Sequence, residues 1–278
     1  MGDHRDEARA LSSEAETELD QAPSPSQYFP SAAAIELTGS IIFFLLCMIP
    51  YLAIRSPRIR PIPFQKLLSE EYVRNLSLDE VFDSDTISTL FLVIISGVLP
   101  LLMQLILAKW VVQIPGDVHH SICIYLIGFG LTFLVTDLLK CYIGFLRPSF
   151  YDLCEPNADY SACMGIENND SRKSFPSGHA STAFCGLSIF SNYLERCFGI
   201  SSVREIIRTN NSITLQYRTN TPHLNRLNSI LSLIPIALAL FIAASRVVDN
   251  KHFPADVVGG SLLGAACASF AYRLWFGS

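Results

Sequence analysis

The sequence predicts an all-α, polytopic membrane protein, a bundle of six transmembrane helices whose functional groups sit at helix ends on one membrane face. Three observations carry that expectation. Half of the 278 residues are apolar and 16% are charged, well below the roughly 25% charge of a soluble domain, and the mean hydropathy is +0.35. Six uncharged runs interrupt the chain, each close to the about 20 residues that cross a hydrocarbon core at a rise of about 1.5 Å per residue. Many of the remaining ionisable side chains collect where those runs end.

Taken in order, the chain opens with a tail over residues 1–31. Asp3, Asp6, Glu7, Glu14, Glu16, Glu18 and Asp20 stand there against Arg5 and Arg9, which accounts for the whole net charge of −5. A secretory signal starts basic and turns apolar, whereas this segment is acidic and rich in Pro, Ser, Glu and Ala, so it reads as disordered. The helical domain is expected over 32–276. Its first span, 33–54, contains LTGSIIFFLLCMIPYLAI between Glu36 and Arg55, and the second covers 86–112. The third covers 119–139 and the fourth 177–195. A polar segment from Glu195 to Arg226 precedes the fifth at 227–245, and the sixth covers 256–275. The fourth and sixth runs are rich in Ser, Gly and Ala, which suits helices packed tightly against neighbours more than helices facing lipid.

This composition excludes some classes. Beyond the tail the chain carries 18 acids and 18 bases, so it has no net basic surface for nucleic acid. Eight Cys in this length are too sparse for a disulfide scaffold. Positive-inside counting is almost balanced between the two faces. With Lys140, Arg147 and Arg246 set aside as functional, it favours cytoplasmic termini.

Three segments on the opposite face hold the chemistry. Lys140-Cys-Tyr-Ile-Gly-Phe-Leu-Arg147-Pro148 closes the third span, and Ser174-Phe-Pro176-Ser177-Gly178-His179 opens the fourth. Ser245-Arg246-Val-Val-Asp-Asn-Lys-His252-Phe-Pro-Ala-Asp256 joins the fifth to the sixth. A lone Lys or Arg at a span end is a snorkelling anchor. Two His, two Arg, a Lys and an Asp at three helix ends on one side ask for more. With Pro176 setting the first turn, the amides of Ser177, Gly178 and His179 point outward as an anion site. Gly178 permits close backbone approach, and the Ser177 hydroxyl adds a donor. Arg147 and Arg246 offer planar forks for phosphoryl oxygens, and Lys140 a point charge. Pro254 starts the sixth helix, so Asp256 falls in its first turn and can accept from one nitrogen of His252, freeing the other to attack. His179 is placed to protonate the departing oxygen.

On these residues the sequence resembles the type 2 phosphatidic acid phosphatase superfamily, in its lipid phosphate phosphatase branch. The family signature is Lys-x6-Arg-Pro, Pro-Ser-Gly-His and Ser-Arg-x5-His-x3-Asp. Lys140, Arg147, Pro148, Pro176, Ser177, Gly178, His179, Ser245, Arg246, His252 and Asp256 fill all eleven specified positions. The resemblance, over roughly residues 33–275, implies an integral-membrane hydrolase of lipid phosphate monoesters, without metal or cofactor. It implies His252 as nucleophile, Asp256 as its partner and His179 as acid and base, with Lys140, Arg147, Ser177, Gly178 and Arg246 on the phosphate. Phosphatidate, lysophosphatidate, a sphingoid-base phosphate or diacylglycerol pyrophosphate are the substrates it suggests. A polyprenyl-pyrophosphate phosphatase of the same fold is the alternative. Two rivals from other classes are a non-catalytic lipid-phosphate binder, which has no need of both His, and a transporter, which would carry charge near the bilayer midplane.

Other features are weighed beside these. Asn75, Asn169 and Asn210 head glycosylation sequons; with the site lumenal or extracellular, Asn169 and Asn75 are the usable ones. Cys154 and Cys163 share the loop between Arg147 and Ser174 and either pair on an oxidising face or stay free. His119-His120 reads as an interfacial loop, because no third ligand is near. Asp137 is expected to pair with Lys140 across one turn.

Overall fold

The computed structural model describes residues 30–53, 56–66, 72–166, 168–209 and 230–276. Residues 1–29 of the expected tail and the Asn210 sequon lie outside them. The described chain is a polytopic helical bundle, and five of its helices are long and apolar enough to cross a membrane. α1 is Pro30–Ala53 and α2 runs over Thr89–Val112, with wider, π-type turns at Ile94–Val98 and Ala108–Val112. α3 is Asp117–Ile143, α4 the single turn Phe150–Cys154, and α5 Gly178–Thr209. α6 is Ile234–Val248 and α7 Pro254–Phe276.

α5 is the helix missing from the five, and its position explains its composition. It stands in the middle of the bundle against α2, α3, α6 and α7. Ala180, Ala183, Cys185, Leu187, Ile189 and Tyr193 are buried along it. A helix shielded by neighbours has no need of the hydropathy that a lipid-facing helix requires. Its small residues serve approach instead. A Cβ on Gly264 of α7 would collide with the Ser181 carbonyl of α5, so the two backbones touch there. α5 also continues to Thr209, well past the end expected at residue 195. α1, by contrast, leans on α3, with Phe44 edge-on to Phe133 at 6.5 Å, and turns Ile42, Leu45, Leu46 and Ile49 outward.

The far end of the bundle is fastened by Asp117, buried at the start of α3. It accepts from Tyr193 Oη at 2.9 Å and from Arg196 Nη1 and Nη2 at 2.6 and 3.1 Å. A buried carboxylate needs such partners, because its desolvation is costly. The near end is covered by the segments between α1 and α2 and between α3 and α5. Gly144, at φ 58°, ends α3 where a Cβ would strike the Arg58 carbonyl. A two-stranded hairpin, β1 (Phe64–Lys66) and β2 (Tyr72–Arg74), pairs Phe64 with Arg74 and Lys66 with Tyr72. Ile62, Leu78, Leu146, Phe150 and Tyr151 form a small core beneath it. Cys154 and Cys163, with Cα atoms 4.8 Å apart, are joined by a disulfide in the same cover.

Candidate active site

The end of α3, the start of α5 and the turn between α6 and α7 converge under this cover, as the sequence motifs lead one to expect. A fourth stretch, residues 81–88 leading into α2, closes the ring. Between them lies a cavity of about 880 Å³ whose wall includes Lys140, Arg147, Gly178, His179, Arg246 and His252.

Arg147 is the best-anchored cation on that wall. Its Nε donates to the Asp170 carbonyl at 2.9 Å and its Nη2 pairs with the Asp170 carboxylate at 2.9 Å. Nη1 donates to the Lys251 carbonyl at 2.9 Å and stands 3.5 Å from His252 Nε2. Lys140 Nζ donates to the Lys173 carbonyl at 2.6 Å. Among the described residues no ion pair joins Lys140 to Asp137, its expected partner; its ammonium is directed to the Lys173 carbonyl instead.

His252 is 4% exposed. Its imidazole is held well below the ordinary range, first by burial and then by the positive charge of Arg147 and Lys140 and the neighbouring His179. Its Nδ1 lies 3.9 Å from Asp256 Oδ2, in register for the expected pairing but too far for a hydrogen bond. The reason is on the carboxylate. Asp256 Oδ2 already accepts from Ser174 Oγ at 2.6 Å and from the Phe253 amide at 2.9 Å, capping its own helix. Among the described residues His252 Nδ1 and Asp256 Oδ1 have no hydrogen-bond partner.

His179 lies just inside the start of α5, and its Nε2 is 3.1 Å from the Ile87 carbonyl. A carbonyl only accepts, so Nε2 carries the proton. Ser177 differs from expectation. Its amide, read from sequence as a free anion donor, is spent on the Asp256 carbonyl at 2.9 Å, and its Oγ faces the Ala180 amide at 3.5 Å. Ser177 is buried behind the wall, leaving Gly178 and His179 as the part of that motif that faces the cavity.

The residues around Arg246 were not singled out from sequence. Arg246, 2% exposed, pairs through Nη2 with Asp249 and through Nη1 with Asp85 at 3.1 Å. Asp249 also accepts from the Thr86 amide at 3.0 Å and from its hydroxyl. Lys251 Nζ is 3.7 Å from the same Asp85 oxygen. Asp249 and Lys251 lie within the five-residue gap of the third motif, where their type was the available signal. Asp85 and Thr86 offered no signal, since their partners are about 160 residues away.

The cavity is not polar throughout. Beside the cations its wall includes Met48, Tyr51 and Leu52 of α1, Leu92 and Val93 of α2, and Phe133 of α3, all within helices long and apolar enough to cross a membrane, together with the polar Thr136, Asp137, Ser181 and Thr182. Elsewhere, His119 Nε2 sits 3.0 Å from Glu36 and the His120 ring packs on Phe276. Among the described residues no group of three or more His, Cys, Asp or Glu is gathered as metal ligands would be. Asn75 and Asn169 are both exposed on the covering segments.

Residues 121–278 match the family model described as the PAP2 superfamily. Lipid phosphate phosphatase 1 of Arabidopsis thaliana is 33% identical over 169 residues, covering 58% of this chain and 46% of that protein. Lipid phosphate phosphatase 2 of the same plant is 29% identical over 170 residues, 58% of this chain and 52% of that one. Diacylglycerol pyrophosphate phosphatase 1 of Saccharomyces cerevisiae is 28% identical over 255 residues, 84% of this chain and 78% of that protein. The match spans about half the length of the two plant relatives. No solved structure matches the chain.

Proposed function

The chain belongs to the PAP2 superfamily, and we propose that it is a lipid phosphate phosphatase that hydrolyses phosphate monoesters of membrane lipids through a phosphohistidine. The observation that carries the reading is the composition of one continuous cavity. It gathers cations and two imidazoles at helix ends, and beside them a set of apolar side chains from helices long and apolar enough to cross a membrane. Such a space suits a ligand with a phosphate head and a hydrocarbon tail. Relatives named for lipid phosphate and diacylglycerol pyrophosphate favour a glycerolipid over a polyprenyl substrate.

In this mechanism Lys140, Arg147 and Arg246 hold the phosphoryl oxygens and neutralise charge as it develops, with the Gly178 backbone alongside. His252 Nε2 attacks phosphorus and the bond to the lipid oxygen breaks. His179 enters this step as an imidazolium; the leaving oxygen takes its Nδ1 proton and departs as an alcohol, while Nε2–H stays on the Ile87 carbonyl. Asp256 closes on His252 Nδ1–H as the imidazole gains positive charge, shortening the present 3.9 Å separation. Water then attacks the phosphohistidine, giving one proton to His179, and the P–N bond breaks to release phosphate and neutral His252. Ser177 acts from behind the wall by tying the start of α5 to Asp256.

We further propose six membrane crossings with α5 as the shielded one, cytoplasmic termini, and the site facing the lumen or the cell exterior. The disulfide between Cys154 and Cys163 in the site's cover supports an oxidising face. The test is phosphate release from phosphatidate by purified protein in chelator. Wild type is expected to turn over, while His252→Ala and His179→Ala lose at least about a thousandfold. Chelator-abolished activity, or normal turnover in His252→Ala, would refute the mechanism.

A further inference from the structure

Arg246 carries two carboxylates, and they differ in kind. Asp249 is 5% exposed and fixed from three directions, by Arg246 Nη2, the Thr86 amide and the Thr86 hydroxyl. Asp85 is 40% exposed, faces the cavity, and meets Arg246 Nη1 and Lys251 Nζ with a single oxygen. We propose that Asp85 is a built-in competitor for the phosphate position, a carboxylate occupying the seat between Arg246 and Lys251 that a phosphoryl group must displace. It thereby sets how weakly the pocket holds phosphate. The inference rests on Arg246 being a phosphate-binding residue.

The surroundings allow this exchange. Residues after Asp85 are pinned, Thr86 to Asp249 and the Ile87 carbonyl to His179. The Asp85 side chain can therefore swing out without moving the strap that holds it. With Asp85 swung out, Arg246 Nη1 and Lys251 Nζ are the donors left open to an arriving oxyanion, while Nη2 stays on Asp249. A phosphoryl dianion outcompetes a single carboxylate on charge. The displaced carboxylate stays beside the cavity and repels the dianion, an effect that falls on product phosphate as on substrate. Asp85 is thus an affinity-setting residue that favours release.

The experiment uses the full chain in detergent micelles. Inhibition of phosphate release by inorganic phosphate and by vanadate is measured beside the rise in melting temperature that each oxyanion gives. Asp85→Asn and Asp85→Ser are expected to bind both oxyanions about fivefold more tightly, as fits the loss of a partly exposed ion pair. Asp85→Glu, which keeps the charge, is expected to stay close to wild type. If either neutral variant fails to fold, the other decides. Unchanged or weaker oxyanion binding in the neutral variants overturns the inference, and weaker binding would make Asp85 an orienting partner of Arg246 instead. Tightening in Asp85→Glu equal to that in Asp85→Asn also overturns it. A wild type that neither melts higher nor is inhibited with either oxyanion removes the phosphate reading of the pocket, and this inference with it.

Discussion

Arg147 Nη1 stands 3.5 Å from His252 Nε2. A guanidinium only donates, so the nitrogen that faces it bears the lone pair, and the ring proton resides on Nδ1, toward Asp256. One cation thus serves two ends. In the proposed mechanism it is positioned for a phosphoryl oxygen and selects the tautomer in which the cavity-facing nitrogen attacks.

The first prediction concerns pH. Burial and the neighbouring cations hold the His252 imidazole below its ordinary value of about 6.5. As pH falls through that value the unfolded chain takes up this proton before the folded one does. Stability from the neutral ring is present above about 6.5 and is lost progressively below it. The drop in melting temperature between pH 7.5 and pH 5.5 is expected to be smaller in His252→Gln than in wild type. An equal drop would contradict the assignment. In wild type, the acid limb of kcat/KM, corrected for ionisation of the substrate phosphate, is expected below 6.5.

Asp249→Asn is expected to cost about 3 kcal/mol of stability, because Arg246 then keeps a buried charge without its fixed partner. The melting temperature of the purified protein measures it. Asp85→Asn, at the half-exposed partner, is expected to cost no more than about 1 kcal/mol. Equal losses would show that the two carboxylates play the same role.

Gly264→Ala inserts a methyl group into the contact between α7 and the Ser181 carbonyl of α5. Backbone cannot yield as a side-chain tip does, so about 2–3 kcal/mol is expected to be lost. Activity should fall with it, since α5 and α7 each carry part of the site. Melting and phosphate release, measured together, check the coupling.

Val93→Trp enlarges an apolar side chain that lines the cavity, as Leu52 also does. The ratio of kcat/KM for long-chain phosphatidate to that for a short, water-soluble phosphate monoester is expected to fall at least about tenfold, since tail burial contributes about 0.8 kcal/mol per methylene. A ratio equal to wild type would place the lipid tail elsewhere.

Expression in a glycosylating cell tests orientation. A glycosidase-sensitive shift in mobility is expected to disappear when Asn75→Gln and Asn169→Gln are combined and to persist in Asn210→Gln. The reverse result would turn the proposed topology over.

Much of this arrangement could be read from the chain, and the limits have a common cause. Runs of apolar residues report how much of a helix faces hydrocarbon, so α1, α2, α3, α6 and α7 stood out. The sheltered α5 was marked by its small residues, though its extension to Thr209 was not. The motifs announced which residues meet at the helix ends. They did not announce hydrogen-bond choices among competing donors. The Ser177 amide found the Asp256 carbonyl, and Asp256 found Ser174 and the Phe253 amide, before either reached its expected partner. Asp85 was invisible for a different reason, since nothing near it in sequence hints at Arg246.

Asp256 has one further bearing on the molecule. Its carbonyl holds the Ser177 amide and its carboxylate holds the Ser174 hydroxyl. The segment leading to His179 and the one following His252 are in this way sewn to a single residue. That side of the chamber is a rigid jaw. Under the proposed function, accommodation of differently shaped lipids then falls to α1, which turns much of its surface outward.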